Sequence, residues 1–259
     1  MRECKPCILD VENRTGWMRH TLIWLTPAGR RFAAEHIRGQ MWADSQWTDS
    51  QWPGSRREAT GQGEDEKVWR ESLVMDNRIP GILCRQPENQ SGIWTCGFSH
   101  WAFEDGRRRR LLADFRAEDV ERTCSPFELC SGKQKDDLCR QYPQLGAVFS
   151  AAEACGLKCG IYGSTALEWV TGLLYRHADS DFDLYVRQKP GGDAGRFGRE
   201  LACLERDEGI RLDVELELDG CGVKLKELAA PGRTVLGKGL YDVRLFEKKE
   251  GTIIPYEME

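Results

Sequence analysis

Tyr162-Gly-Ser-Thr-Ala-Leu-Glu168, followed by Asp181-Phe-Asp-Leu-Tyr-Val186, is the part of the chain from which the rest can be interpreted. A short apolar segment precedes Gly163, which is typical of a buried strand, and the apolar residues after Ser164 have helical spacing. Thr165 and the Glu three residues later also have the spacing of a capping box. The first N–H groups of a helix lack partners within it, and a glycine lets an anion approach them. Gly163, Ser164 and Thr165 are therefore predicted to bind phosphate.

Two acidic residues open the second of these motifs. Asp181 and Asp183 are predicted to lie on one face of a strand, because alternate residues project to the same side. Neighbouring ionised carboxylates repel each other, so a divalent cation is their natural neutraliser. The segment Arg211–Leu218 alternates apolar and polar residues and offers a third carboxylate. Residues two apart on a strand lie about 6.6 Å apart, so few of them reach one metal centre. Asp213 is the first choice for the third ligand, and Glu215 remains the alternative.

The half of the chain around these motifs, 131–259, is predicted to form one catalytic domain. A helical pattern is interrupted at Pro143, and a further helix is expected to connect the two acidic strands. Two later strands are expected at Val223–Leu228 and Asp242–Phe246. Lys238 lies between them beside two glycines. It is either a solvated turn residue or a cation that neutralises a bound phosphate.

The first half is predicted to form a smaller, mainly β domain at 19–130, after a tail at 1–18. Two β-type segments, Ile79–Arg85 and Ile93–Phe98, are separated by turn-forming residues and predict a hairpin. The region at about 40–66 is polar and repeats tryptophan every five residues, a period that fits neither helix nor strand. It is predicted to be a mobile insert, and the alternative is an aromatic patch that contacts a partner.

Arg107 to Arg110 place four guanidinium groups on about one helical turn or at a strand end. The cluster is either a solvated basic face or a site for an anion, since the planar guanidinium group suits phosphate.

Composition excludes several classes of protein. The net charge of −5 argues against a general nucleic-acid binder. The sequence has no apolar run long enough for a membrane span and no apolar signal core at its start, so we expect a cytoplasmic protein without a membrane partner. The 11 cysteines are then expected to be reduced, and Cys4-Lys-Pro-Cys7 lacks a second pair at zinc-site spacing. The fold class that these patterns predict is α+β.

The motifs resemble those of the nucleotidyltransferase superfamily, and more closely those of the phosphoribosyl-dephospho-coenzyme A transferase family of malonate decarboxylases. The run with Thr-Gly-Leu before Asp-Ser-Asp is the most specific part of the resemblance. The matching segments are Leu22-Ile-Trp-Leu25, Tyr162-Gly-Ser-Thr-Ala-Leu-Glu-Trp169, Thr171-Gly-Leu-Leu-Tyr175, Asp179-Ser-Asp-Phe-Asp-Leu-Tyr-Val186, Leu212-Asp-Val-Glu-Leu216 and Val235-Leu-Gly-Lys-Gly239.

The resemblance implies a mixed β-sheet with helices in the C-terminal half and a defined reaction. The enzyme would take 2′-(5″-triphosphoribosyl)-3′-dephospho-CoA, attach it through a phosphodiester to a serine of the acyl-carrier subunit of malonate decarboxylase, and release diphosphate. It implies Mg²⁺, with Mn²⁺ as a possible substitute, held by the catalytic residues Asp181, Asp183 and Asp213. Arg107 to Arg110 would then either dock an acidic carrier protein or contact the phosphates of the prosthetic group.

Two other functions are compatible with the same motifs. A small-molecule nucleotidyltransferase, for example an antibiotic-modifying enzyme that uses a nucleoside triphosphate, would need the same three carboxylates. A non-catalytic binding module of this superfamily would not need them, and their presence argues against it.

Overall fold

The computed structural model describes residues 17–43, 64–86, 92–104, 107–249 and 252–255. The predicted tail at 1–18, apart from its last two residues, and the Cys4-Lys-Pro-Cys7 motif lie outside this description. So does most of the predicted insert, including its repeated tryptophan segments. Within the described ranges, no helix combines the length and apolar character that crossing a bilayer requires.

The first of two sheets is built mainly from antiparallel neighbours in the order β2-β5-β4-β3-β1-β6. Antiparallel pairing of β3 with β4 confirms the predicted hairpin, and the arginine cluster opens β5 rather than forming a helical turn. The strands are β1 (Leu22–Leu25), β2 (Ile37–Ala43), β3 (Gly81–Leu83), β4 (Ile93–Glu104), β5 (Arg107–Arg116) and β6 (Val120–Cys124).

Two helices accompany this sheet: α1 (Pro27–Glu35) and α2 (Glu64–Met75). Thr26 caps α1 by accepting a hydrogen bond from the N–H of Gly29. Buried residues of both helices share one apolar core with the first sheet, which gives this half of the chain its own packed layer.

The second sheet has the order β13-β12-β11-β10-β9-β8-β7. Its central feature is the parallel pair β8 and β9, and its other neighbouring strands are antiparallel, so the sheet is mixed. The strands are β7 (Leu157–Ile161), β8 (Phe182–Gln188), β9 (Leu212–Leu218), β10 (Cys221–Lys224), β11 (Thr234–Lys238), β12 (Val243–Lys249) and β13 (Thr252–Pro255).

The helices of this half begin and end largely where the sequence predicts. Pro143 begins a new helix after a break at Tyr142, and Gly156 with φ +69° follows the end of that helix. They are α3 (Lys133–Gln141), α4 (Pro143–Ala154), α5 (Gly163–Thr171), α6 (Ala194–Glu208) and α7 (Leu225–Ala229). One expectation is wrong: the strand predicted at Val223–Leu228 ends at Lys224, and the chain continues as α7.

The α+β class is confirmed by these two sheets and their helices. Along the sequence, the last strand of the first sheet ends at Cys124, and the first helix of the second half begins at Lys133. The change from one sheet to the other is therefore close to the predicted boundary. However, Leu22 and Trp24 of the first sheet belong to the same buried cluster as β8, β9 and helices α3 to α6. The division into domains at 130 stays a prediction, because the apolar core continues across it.

Candidate active site

The bend between β7 and α5 is shaped by one carboxylate. Gly163 has φ +61°, a conformation that side chains disfavour, and a Cβ at this position would lie 2.1 Å from Oδ2 of Asp183. The Asp183 carboxylate also accepts a hydrogen bond from the backbone N–H of Ser164. The predicted small-residue bend therefore exists, and the anion that occupies its approach in this structure is Asp183 itself.

The capping box predicted at the start of α5 is wrong. The helix begins at Gly163, and its N-cap residue, Tyr162, makes no side-chain capping bond. Thr165 is fully buried, and its Oγ1 accepts a hydrogen bond from Arg176. Glu168 accepts from the Tyr142 hydroxyl instead of returning to the helix N-terminus. The polar groups of this first turn thus hold neighbouring chain segments in place.

Asp183 and Asp213 are brought side by side by the parallel pairing of β8 with β9. The two residues are direct partners in the register, so their side chains leave the same face of the sheet on neighbouring strands. Burial, and next to it the charge of Asp213, raises the pKa of Asp183 to about 7. Lys224 and Arg110 oppose this rise. The arrangement concentrates negative charge where the sequence predicts it.

Lys224 is the cation that the sequence did not single out. It ends β10, and its Nζ lies 2.6 Å from Oδ2 of Asp213 and 3.1 Å from Oε1 of Glu215. Burial alone would lower the pKa of Lys224, but these two carboxylates raise it above its ordinary value. The sequence does not indicate this contact of Lys224, because the contact depends on the pairing of β10 with β9.

Glu215 differs from the Asp183–Asp213 pair in its contacts with His20 and Arg19. It is 3% exposed and accepts a hydrogen bond from Nε2 of His20 at 3.1 Å, with Nη1 of Arg19 at 3.6 Å. Burial would raise the pKa of Glu215, but the bond from His20 and the charges of Arg19 and Lys224 hold it well below its ordinary value. The geometry therefore favours Asp213 over Glu215 as the carboxylate that works with Asp183.

His20 reaches this position through an uncommon backbone conformation, with φ 70°. Its ring stacks on Tyr162 with 3.9 Å between centroids, and burial lowers its pKa despite the neighbouring Glu215 carboxylate. The residue lies just before β1, so a segment of the N-terminal half completes the buried side of the site.

Asp181 has an ion-pair partner of its own. It precedes β8, and its Oδ1 lies 2.9 Å from Nε of Arg211 in an exposed ion pair. Within the described ranges, no group of three acidic, histidine or cysteine side chains is close enough to hold a metal ion. Arg176 fixes the backbone here by donating to the carbonyl groups of Asp181 and Ser180. Of the three predicted carboxylates, Asp183 and Asp213 are thus neighbours in the sheet, and Asp181 pairs with Arg211.

Lys238 ends β11, which is separated from β9 by one strand. Its carbonyl oxygen accepts a hydrogen bond from Arg19. Its role as a phosphate contact stays a prediction, whereas Lys224 is the lysine that the structure places on the carboxylates.

The predicted arginine cluster is divided by the alternation of β5. Arg108 is buried, and Arg109 lies over the ring of Trp69 with 4.8 Å between Cζ and the ring centroid. The side chain of Arg107 lies outside the description. A surface for docking a carrier protein needs exposed charges, so burial makes Arg108 unsuited to the docking alternative, and the phosphate alternative stays a prediction.

Comparison with known proteins identifies the family of this chain. Residues 134–249 match the family model of the phosphoribosyl-dephospho-CoA transferase MdcG C-terminal domain. A phosphoribosyl-dephospho-CoA transferase of Pseudomonas putida (strain W619) is 32% identical over 141 residues, which cover 54% of this chain and 68% of that protein. The chain belongs to the phosphoribosyl-dephospho-CoA transferase family. The family resemblance of the sequence motifs is thereby confirmed.

Other relatives extend the match toward the first half of the chain. The protein of the same name from Azotobacter vinelandii is 28% identical over 184 residues, which cover 69% of this chain and 82% of that protein. The one from Xanthomonas euvesicatoria pv. vesicatoria is 31% identical over 142 residues, 54% of this chain and 66% of that protein. This chain therefore spans about two thirds of the length of several curated relatives. No solved structure matches it.

Proposed function

We propose that this protein transfers 2′-(5″-triphosphoribosyl)-3′-dephospho-CoA to a serine of the acyl-carrier subunit of malonate decarboxylase. The serine oxygen attacks the α-phosphorus, the bond from that phosphorus to the bridging oxygen breaks, and diphosphate leaves. The serine proton passes to a base, and the product is a phosphodiester. The relatives' name supports a substrate derived from dephospho-CoA. The carrier subunit and its serine come from the family resemblance alone.

The observation that carries the proposal is the register of Asp183 with Asp213, next to the Gly163-Ser164 bend. Two carboxylates at matching positions are oxygen donors of the kind that Mg²⁺ or Mn²⁺ takes. Burial, and after it the charge of Asp213, raises the pKa of Asp183, and a bound cation would favour the ionised carboxylate. Asp183 and Asp213 would hold the ion, while Asp181 would have to leave its ion pair with Arg211 to join them. When bound, the ion would neutralise charge on the triphosphate.

The protein's own groups account for the other requirements of the reaction. Nζ of Lys224 lies 2.6 Å from Oδ2 of Asp213, and this carboxylate would take the serine proton or serve as a ligand. Arg176 holds the segment that carries Asp181. The N–H groups at the start of α5 would stabilise the departing diphosphate.

The proposal is tested with purified protein, the carrier subunit, the triphosphoribosyl donor and magnesium. Mass spectrometry should show the carrier gaining one prosthetic group, with one diphosphate released per transfer. Asp183→Ala should abolish the transfer, while Asp207→Asn, which changes an exposed acid paired with the neighbouring arginine, should leave it unchanged. Nucleotide transfer from ATP to small hydroxyl acceptors, without modification of the carrier, would instead support the small-molecule nucleotidyltransferase.

A further inference from the structure

Arg108 is a buried cation that reaches from β5 to the connection between α5 and β8. The residue is 6% exposed, and its Nη2 donates to the carbonyl oxygen of Tyr175. Its Cζ lies 4.4 Å from the ring centroid of Phe103 and 5.3 Å from that of Tyr175. These contacts place the guanidinium group against two aromatic rings, and the rings contact its flat face rather than its N–H groups.

The charge of Arg108 is not neutralised by an ion pair among the described residues. Among the described residues, its Nη2 donates to a neutral carbonyl group, and its buried Nε has no hydrogen-bond partner. Burial, and after it the charge of Arg110, lowers the pKa of Arg108 to about 10. A buried and incompletely bonded guanidinium destabilises the fold, so its position calls for a close counter-charge, which no ion pair among the described residues supplies.

The surroundings of Arg108 lead directly to the carboxylate site. Tyr175 is followed by Arg176, whose guanidinium donates to Oγ1 of Thr165 and to the carbonyl of Asp181. The carboxylate of Asp183 acts on the pKa values of both Arg108 and its neighbour on the same face of β5, Arg110. Arg108 therefore lies where the first sheet meets the bend and the acidic strands.

We propose that Arg108 binds a phosphate group of the substrate, so that the first sheet supplies the cation and the second sheet the carboxylates of one composite site. The inference deepens the proposed function and rests on it for the identity of the ligand as an organic triphosphate. A guanidinium edge matches the oxygens of a phosphate group in geometry and charge. Phosphate binding would give Arg108 the counter-charge that its buried position lacks.

The test measures binding of inorganic tripolyphosphate by calorimetry to the full-length protein, alongside Arg108→Gln and the matched control Arg109→Gln. Arg109 is the next residue of β5 and lies over Trp69 on the opposite face. Loss of a charged hydrogen-bonding group should weaken binding about 10- to 100-fold in the Arg108 variant. The control should remain within twofold of the wild type. Equal affinity of wild type and Arg108→Gln, or no wild-type binding at millimolar tripolyphosphate, overturns the inference.

Arg108→Gln also removes the bond to Tyr175, so thermal unfolding without ligand is measured for each variant. If the Gln variant does not fold, Arg108→Lys is used instead, because lysine keeps the charge and lacks the planar guanidinium group. Binding of tripolyphosphate that is at least about threefold weaker supports the inference, and unchanged binding refutes it. In the transfer assay the Gln variant should raise the KM for the donor more than it lowers kcat. A wild type that binds tripolyphosphate without modifying the carrier refutes the proposed function and leaves the anion site intact.

Discussion

Replacing Glu215 by Gln should destabilise the protein, although the geometry favours another carboxylate for catalysis. Glu215 lies between the cations Arg19 and Lys224 and accepts the hydrogen bond of His20. Breaking a buried ion pair costs about 3–5 kcal/mol of unfolding free energy. We expect the lower end, about 3 kcal/mol, because Lys224 keeps Asp213 as a partner. For a chain of this size such a loss lowers Tm by about 6–12 °C.

The assay is thermal and urea unfolding at pH 7, with Glu217→Gln as the control. Glu217 lies two residues further along β9 and is bonded at 2.8 Å by both Nε and Nη2 of the more exposed Arg187. Loss of this surface pair should cost at most about 1 kcal/mol. Equal losses in the two variants would refute the argument that burial makes Glu215 important.

The pH dependence of the Glu215 variant follows from the direction of the pKa shift. The pKa of Glu215 in the folded protein lies well below its ordinary value of 4.5, so the folded state binds this proton more weakly than the unfolded state. The stabilisation is therefore fully present above pH 4.5 and is lost as the pH falls through the folded value. The difference between wild type and variant should stay constant from pH 6 to 8 and shrink in acid.

Three further substitutions test the site itself. Gly163→Ala should abolish transfer and cost about 2–4 kcal/mol, because the methyl group meets the Asp183 carboxylate and φ is +61°; near-native unfolding temperature would contradict this. Asp183→Asn should also abolish transfer yet stabilise the protein at pH 8 by about 1–3 kcal/mol. With a folded pKa of about 7, ionisation costs stability as the pH rises, so this gain should shrink at pH 5; unfolding scans at both values check it. Lys224→Met should reduce transfer at least about tenfold by removing the counter-ion of Asp213, whereas Lys226→Met, which removes an exposed ion pair, should not.

The sequence predicted the parts of the fold that depend on local periodicity. The helical spacing after Ser164 and the two-residue alternation of Arg211–Leu218 each report which side of an element is apolar. Pro143 likewise marked a helix boundary through the missing N–H and fixed φ of its ring. These signals predicted that Asp181, Asp183 and a carboxylate of the later strand lie together, and the parallel register of the two strands places Asp183 beside Asp213.

What only the tertiary structure decided is the set of partners around those carboxylates. The bond between His20 and Glu215 joins residues 195 positions apart, and alternation alone would place Glu215 beside Asp213 on a polar face. Lys224 reaches Asp213 because β10 folds back on β9, and Arg108 is buried because the first sheet packs near the bend. A charged side chain far along the chain carries no periodic signal of its partner. Its environment is fixed only when two sheets, each with its own local pattern, pack together and exclude water between them.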